Sequence, residues 1–321
     1  MKTSVKIKQY LKEKSKVTGS ELSNYLGISD RAVRKQLANL LKNKAVEKIG
    51  KPPRVFYSLK YQEDKKNENI DPVKMDIIEE NYLFITPTGE KKEGFAGFNY
   101  WCNKNKLDVN KTADEYIKTL LKYDKFKKGG LIDGSQKFDS TFDKVYLDKV
   151  FYLDFYSIER FGKTKLGQLL LYGKQSGNKT IIKQIIADIK PRVDLLIKKF
   201  KINAVGFVPW TVKREVQFIR ELEKQLNLGV KSIKIEKIKT EIVVPQKTLS
   251  KLEDRIENAQ KTLVVTENSR YNNLLIIDDA VGSGATLNQV AKQIKDKKIA
   301  KKVIGLSITG SFKGFDVISE V

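Results

Sequence analysis

The chain has 321 residues, 40% of them hydrophobic, with 62 Lys or Arg against 39 Asp or Glu for a net charge of +23. That length accommodates two or three domains with packed cores. A single cysteine, Cys102, and the absence of histidine exclude an internal disulfide, a multi-thiolate zinc site, serine–histidine triads and histidine-ligated metals, so no protein metal site is expected.

No run approaches the roughly 20 apolar residues that a membrane helix needs, and the Lys-rich start lacks the apolar centre of a signal peptide. A cytoplasmic protein without membrane contact is the expectation. Positive charge is concentrated at the front, where residues 1–60 hold 15 Lys or Arg against 4 Asp or Glu. Such an excess suits a polyanion, because cations that neutralise phosphates release condensed counterions. The abundance of Lys, Ile and Asn along the whole chain also fits an AT-rich coding bias.

Apolar residues at helical spacing predict three short helices, carrying Ile7, Tyr10 and Leu11, then Leu22, Tyr25 and Leu26, then Val33, Leu37, Leu40 and Leu41. Ser20 and Ser29 stand at expected N-caps, and Gly27 at the tight turn between the second and third helices. AVEKIGKPPRVFYSL then alternates apolar and polar residues on both sides of Gly50-Lys51-Pro52-Pro53, predicting two strands around a basic tip.

Helix, turn, helix and hairpin in this order resemble the winged-helix domains of bacterial transcription regulators over about residues 3–60. In that family the third helix enters the major groove and the wing touches phosphates or the minor groove. The resemblance implies double-stranded DNA as partner, contacted by Arg31, Arg34 and Lys35 on the third helix and by Lys51 and Arg54 at the wing. It also implies a two-fold homodimer. A domain of this shape used only for protein contacts is the alternative. The first domain is expected to span 1–61.

YQEDKKNENIDP reads as a linker, followed by a strand over 81–86, a turn at Pro87-Thr88-Gly89, and a helix over 110–126 with Ala113, Ile117, Leu120 and Leu121 on one face. Phe95, Phe98, Tyr100 and Trp101 form an aromatic cluster better suited to a small core than to base stacking. Cys102 reads as a buried filler. Residues 62–146 resemble no family and stand as an unassigned α+β segment.

From 147 onward strands and helices alternate: strand KVFYLDFYSI, helices over 164–172 and 180–200, strand AVGFVPW, helix over 216–226, strand over 230–235, strand NLLIID, helix over 286–295 and strand KVIGLSI. That alternation predicts an α/β domain over 147–321, a mainly parallel sheet with flanking helices, whose ligands sit at the carboxyl ends of the strands.

At one such end, Asp278 and Asp279 follow an apolar run that is expected to stop at Ile277. Gly282, Ser283, Gly284 and Ala285 have little bulk, so their amides can converge on an anion together with the amides of a helix starting at Thr286. Carboxylates beside a phosphate cradle suit a sugar phosphate, with hydroxyls on the acids and phosphate on the loop.

The stretch from Asp278 to Thr286 resembles the 5-phosphoribosyl 1-diphosphate (PRPP) motif of type I phosphoribosyltransferases, with Gly282 where the family carries a first threonine and Ser283 where it carries the second. The resemblance implies Asp278 and Asp279 as catalytic acids, PRPP bound with Mg²⁺, and Lys213 and Arg214 in FVPWTVKREVQF as pyrophosphate ligands. PQKTLSKLEDRIENAQKTL resembles the hood segment of ComF-like phosphoribosyltransferases through Gln246 with Leu249 and Arg255 with Asn258. Lys247, Lys251 and Arg255, four residues apart, form a basic edge there, read either as a diphosphate cover or as a solvated face, with Lys247 and Arg255 as the hood contacts. Two functions fit: a DNA-binding regulator with PRPP or a nucleotide as effector, or an active phosphoribosyltransferase with an unidentified acceptor.

Overall fold

The computed structural model describes residues 2–60, 70–238 and 240–311, and the chain divides into two compact units, Met1–Asn69 and Ile70–Val321. Most of the expected linker falls on 61–69, outside the described residues.

The first unit consists of α1 (Thr3–Lys14), α2 (Gly19–Leu26), α3 (Asp30–Lys42) and the hairpin β1 (Val46–Lys51) and β2 (Arg54–Leu59). Ile7, Leu11, Val17, Leu22, Val33, Leu37, Leu40 and Val46 form its buried core; of the other residues in the expected stripes, Tyr10 and Leu26 pack against it partly buried and Tyr25 is exposed. Gly27 ends α2 in the left-handed conformation, at φ 63°. Ser29 caps α3 by accepting from the Ala32 N–H. The expected cap at Ser20 is corrected to Thr18, whose hydroxyl accepts from Glu21 N at 3.1 Å while the Glu21 carboxylate accepts from Thr18 N at 2.6 Å. This reciprocal box satisfies two N-terminal donors, where a serine two residues later satisfies neither. A bridge between Val17 and Tyr57 adds a third, minimal strand to the wing.

The second unit begins with α4 (Pro72–Asn81), the hairpin β3 (Leu83–Ile85) and β4 (Lys91–Glu93), α5 (Gly94–Lys104) and α6 (Val109–Asp124). Then come β5 (Lys127–Lys128), β6 (Leu131–Asp133), α7 (Ser135–Thr141), β7 (Lys149–Phe155), α8 (Lys165–Ser176) and α9 (Lys179–Lys199). The chain continues through β8 (Ala204–Phe207), α10 (Phe218–Leu226), β9 (Lys231–Lys237), α11 (Leu252–Thr262), β10 (Leu263–Thr266), β11 (Tyr271–Val281), α12 (Ala285–Asp296) and β12 (Ala300–Gly310).

An eight-stranded sheet of order β10-β9-β8-β11-β12-β7-β6-β5 forms the middle layer. β9, β8, β11, β12 and β7 are parallel, β10 and β6 run against them, and β5 runs against β6. The fold is thus α/β with a mainly parallel sheet. Residues 70–146 are part of this unit: β5 and β6 extend its sheet, and Ile78, Phe98, Ala113 and Phe138 on α4 to α7 pack on one face of it. Leu166, Leu169 and Leu170 of α8, with residues of α9 and α10, cover the other face. Phe98, Trp101 and Tyr116 pack with Tyr82 in the first of these cores, so the aromatic cluster is structural.

The run Leu274–Ile277 shows why β11 is central. Leu274 and Ile276 enter one core and Leu275 and Ile277 the other, as the two-residue side-chain period of a strand requires. Each such burial is worth about 1.5–3 kcal/mol. The strand, expected to end at Asp278, runs on to Val281. On one side its pairing with β8 does end at Ile277, opposite Phe207. On the other side β12 runs on to Gly310, so Asp278, Ala280 and Val281 keep partners.

Candidate functional site

Beyond Ile277 the regular alternation breaks: Ala280 packs against the core that holds Leu275 and Ile277, and Val281 joins the one that holds Leu274 and Ile276. The Asp279 Oδ2 lies 2.6 Å from Lys174 Nζ, on α8. The Asp278 Oδ1 accepts from the Asp279 backbone N–H at 2.8 Å. Burial, and then the neighbouring charge of Asp279, hold the Asp278 carboxyl well above the usual carboxylate range. Lys174 offsets this only in small part, because its ammonium is spent on Asp279.

Both acids line a cavity of about 240 Å³ at the carboxyl ends of β8, β9 and β11. Thr286, Arg214 and Lys247 line it as well, so three separated sequence motifs converge there. Lys213 does not line it and is exposed. Two further cations were not foreseen, Lys174 and Lys237. Neither belongs to a local motif: Lys174 sits on the polar side of an amphipathic helix, and Lys237 is the last residue of β9. Lys237 Nζ donates to Thr211 Oγ1 at 3.0 Å, and desolvation holds its pKa below the ordinary lysine value. A cation desolvated with no carboxylate partner among the described residues is better satisfied once an anion arrives.

Of the loop residues only Thr286 reaches the cavity wall; Gly282 is half-buried, and Ser283, Gly284 and Ala285 are buried. Ser283 Oγ accepts the Ala285 N–H at 3.3 Å. The buried Lys137, on α7, donates to the Gly282 carbonyl at 2.5 Å and to the Ser311 carbonyl at 2.8 Å. Helix α12 begins at Ala285, one residue earlier than expected. Gly284 adopts φ 88°, and a Cβ there would stand 2.5 Å from the buried Phe138 ring. Gly284→Ala is therefore expected to cost about 2–4 kcal/mol, from left-handed strain plus overpacking, as measured by urea denaturation.

The hood residues have a different role from the expected basic edge. Lys247 lies in a 3-10 turn over Gln246–Thr248, Lys251 is the N-cap of α11, and Arg255 is buried within α11, so the three share no continuous helix face. Arg255 Nε donates to the Leu249 carbonyl at 2.7 Å. Gln246 Nε2 donates to the Arg255 carbonyl at 2.9 Å and to Asn258 Oδ1 at 3.2 Å. The four residues at the two matched intervals thus form one hydrogen-bonded knot. It fixes Lys247 at the cavity, while Arg255 is spent on backbone because burial disfavours leaving its guanidinium unpaired.

In the first unit Arg31, Arg34 and Lys35 are exposed on α3, and Lys51 and Arg54 are exposed where β1 and β2 meet. No acidic side chain pairs with any of the five among the described residues. Among the described residues no group of three or more acidic or thiol side chains could hold a metal ion, and no helix is long and apolar enough to cross a membrane.

No curated protein matches the chain. Among solved structures it is similar to a hypoxanthine phosphoribosyltransferase from Staphylococcus aureus, at 13% identity and a TM-score of 0.24, over 39% of this chain and 63% of that one. A likeness of that size carries no argument about ligand or activity, and it spans less than two thirds of the other chain's length. Residues 4–50 match the family described as HTH domain. Together with the helices, turn and hairpin described above, that match makes the front of this chain a helix-turn-helix domain.

Proposed function

We propose that the chain is a DNA-binding transcriptional regulator whose α/β unit resembles type I phosphoribosyltransferases and binds PRPP or a nucleotide as effector. One observation carries this reading: Asp278 and Asp279 share a cavity wall with Lys174, Arg214, Lys237 and Lys247, in a chain that also holds a helix-turn-helix domain. Carboxylates accept from ribose hydroxyls, and the cations with the amino end of α12 attract phosphate. Arg31, Arg34, Lys35, Lys51 and Arg54 contact the duplex. Mg²⁺ bound with PRPP fits the donor set, since this ion keeps several waters and takes one or two carboxylates beside phosphate oxygens. It would neutralise phosphate charge and relieve the repulsion between Asp278 and Asp279.

Effector action requires unequal affinity for DNA-competent and incompetent states. Duplex binding measured by fluorescence anisotropy is expected to change at least about fivefold when PRPP with Mg²⁺, or a nucleoside monophosphate, is added. An unchanged affinity despite measured ligand binding overturns the effector role. The intact acid pair on the cavity wall favours a second reading, a ComF-like phosphoribosyltransferase. Pyrophosphate release that depends on an added base would establish that reading over the pure sensor.

A further inference from the structure

The opposite end of the sheet from the cavity carries its own charge pattern. Four neighbouring parallel strands, in the order β9, β8, β11 and β12, each have a cation within three residues of their first position: Lys231, Lys201, Arg270, and Lys301 with Lys302. Lys298, in the turn before β12, adds a sixth, and all six are exposed. Strands about 4.8 Å apart make this a row about 14 Å long. Lys198 and Lys199 also lie at this end, but in the last turn of α9, where a cation offsets the helix dipole. The six lie in strands and turns, where that role does not arise.

The acids beside the row are already occupied. Asp148 Oδ2 accepts from Lys295 Nζ at 2.8 Å and from the Val303 N–H at 2.7 Å, Asp296 pairs with Lys292 at 2.6 Å, and Glu267 accepts from the Asn268 and Ser269 N–H groups. Among the described residues no carboxylate pairs with any of the six. None of the large exposed apolar residues falls in these turns and strand starts, so the row lacks the apolar anchor that binding at a lipid surface uses. Cations in a line, unpaired and without such an anchor, suit a regular polyanion, and duplex DNA presents about one phosphate per 1.7 Å of axis. The helix-turn-helix domain in the same chain favours DNA over other polyanions.

We propose that the α/β unit has a DNA-contacting surface of its own, with Lys201, Lys231, Arg270, Lys298, Lys301 and Lys302 on backbone phosphates. Phosphate contacts hold the duplex without reading its sequence. The inference rests on duplex DNA as the partner in the proposed function and not on what the cavity binds, since none of the six lines the cavity.

The test uses the full-length protein with Arg31, Arg34 and Lys35 all replaced by Gln, which silences α3. Fluorescence anisotropy with a duplex of about 40 bp is expected to show remaining, salt-sensitive binding. Adding Lys298→Gln, Lys301→Gln and Lys302→Gln is expected to lower the logarithmic salt slope by about 2.7 and the affinity on the order of 100-fold at about 150 mM salt. The same three lysines changed to Arg are expected to keep affinity within about twofold, which separates charge from damage to the turn. A Gln triple that moves neither slope nor affinity overturns the inference and leaves the helix-turn-helix contact in place. So does loss of all duplex binding once α3 is silenced, or an Arg triple that loses as much as the Gln triple. Binding through these lysines that is tighter to double-stranded RNA or to phosphatidylglycerol vesicles than to duplex DNA overturns DNA as the occupant. If the unaltered chain binds no duplex at all, the DNA reading itself fails, and the inference with it.

Discussion

Raising monovalent salt from about 50 to about 200 mM is expected to weaken duplex binding by about 500-fold, because five phosphate contacts give a logarithmic slope of about −4.5. The five are Arg31, Arg34 and Lys35 on α3, with Lys51 and Arg54 at the wing, all exposed and none spent on an acidic partner among the described residues. Arg34→Ala removes one contact from the third helix, so it should lower the slope by about 1 and weaken binding at every salt concentration. A solvated helix face that never meets DNA predicts the opposite result, an affinity indifferent to both salt and substitution. Fluorescence anisotropy with a labelled duplex separates the two, and a flat salt profile would remove DNA from the reading of this chain.

Asp278→Asn is expected to stabilise the unliganded protein at neutral and alkaline pH and to have little effect near pH 4. The Asp278 carboxyl is pushed up to about 8 in the folded chain by burial and by the charge of Asp279, against about 3.9 in an unfolded one. The folded state therefore holds a proton that the unfolded state has released. Folding loses stability as pH climbs above about 4, and the loss is complete above about 8. Replacing the acid with an amide abolishes that loss, worth on the order of 2–4 kcal/mol at pH 7 after allowance for partial exposure. Thermal melts at pH 4 and pH 8 check it, and a variant no more stable at pH 8 than the parent would mean that Asp278 is ordinarily ionised. The same substitution should weaken a sugar-phosphate ligand, because a cost borne by the empty site is relieved by hydroxyl donors or a bound cation.

The knot formed by Gln246, Leu249, Arg255 and Asn258 shows what spacing can and cannot convey. The two intervals mark residues that hydrogen-bond to one another, yet a four-residue repeat of cations implies one helix face only if the helix is unbroken. Here the chain turns at Leu249 before α11 begins. Arg255, expected at the ligand, instead holds that turn. The polar surroundings of Asp278 and Asp279 were legible because two adjacent charges at the end of a buried run have to meet something polar. Their different surroundings were not legible, since these depend on which helix covers which face of the sheet.

Local patterns along the chain suffice for the three stripes of the helix-turn-helix, the basic tip of its wing, the strand under the acid pair and the small-residue loop after it. Each is a matter of period and residue size within a few positions. The pairing of Asp279 with Lys174 and the anchoring of Gly282 by Lys137 joined residues more than about 100 positions apart. Such contacts depend on sheet order and on the face each helix packs against, and these are set by the burial of two whole cores, a long-range energy that no short window of sequence contains.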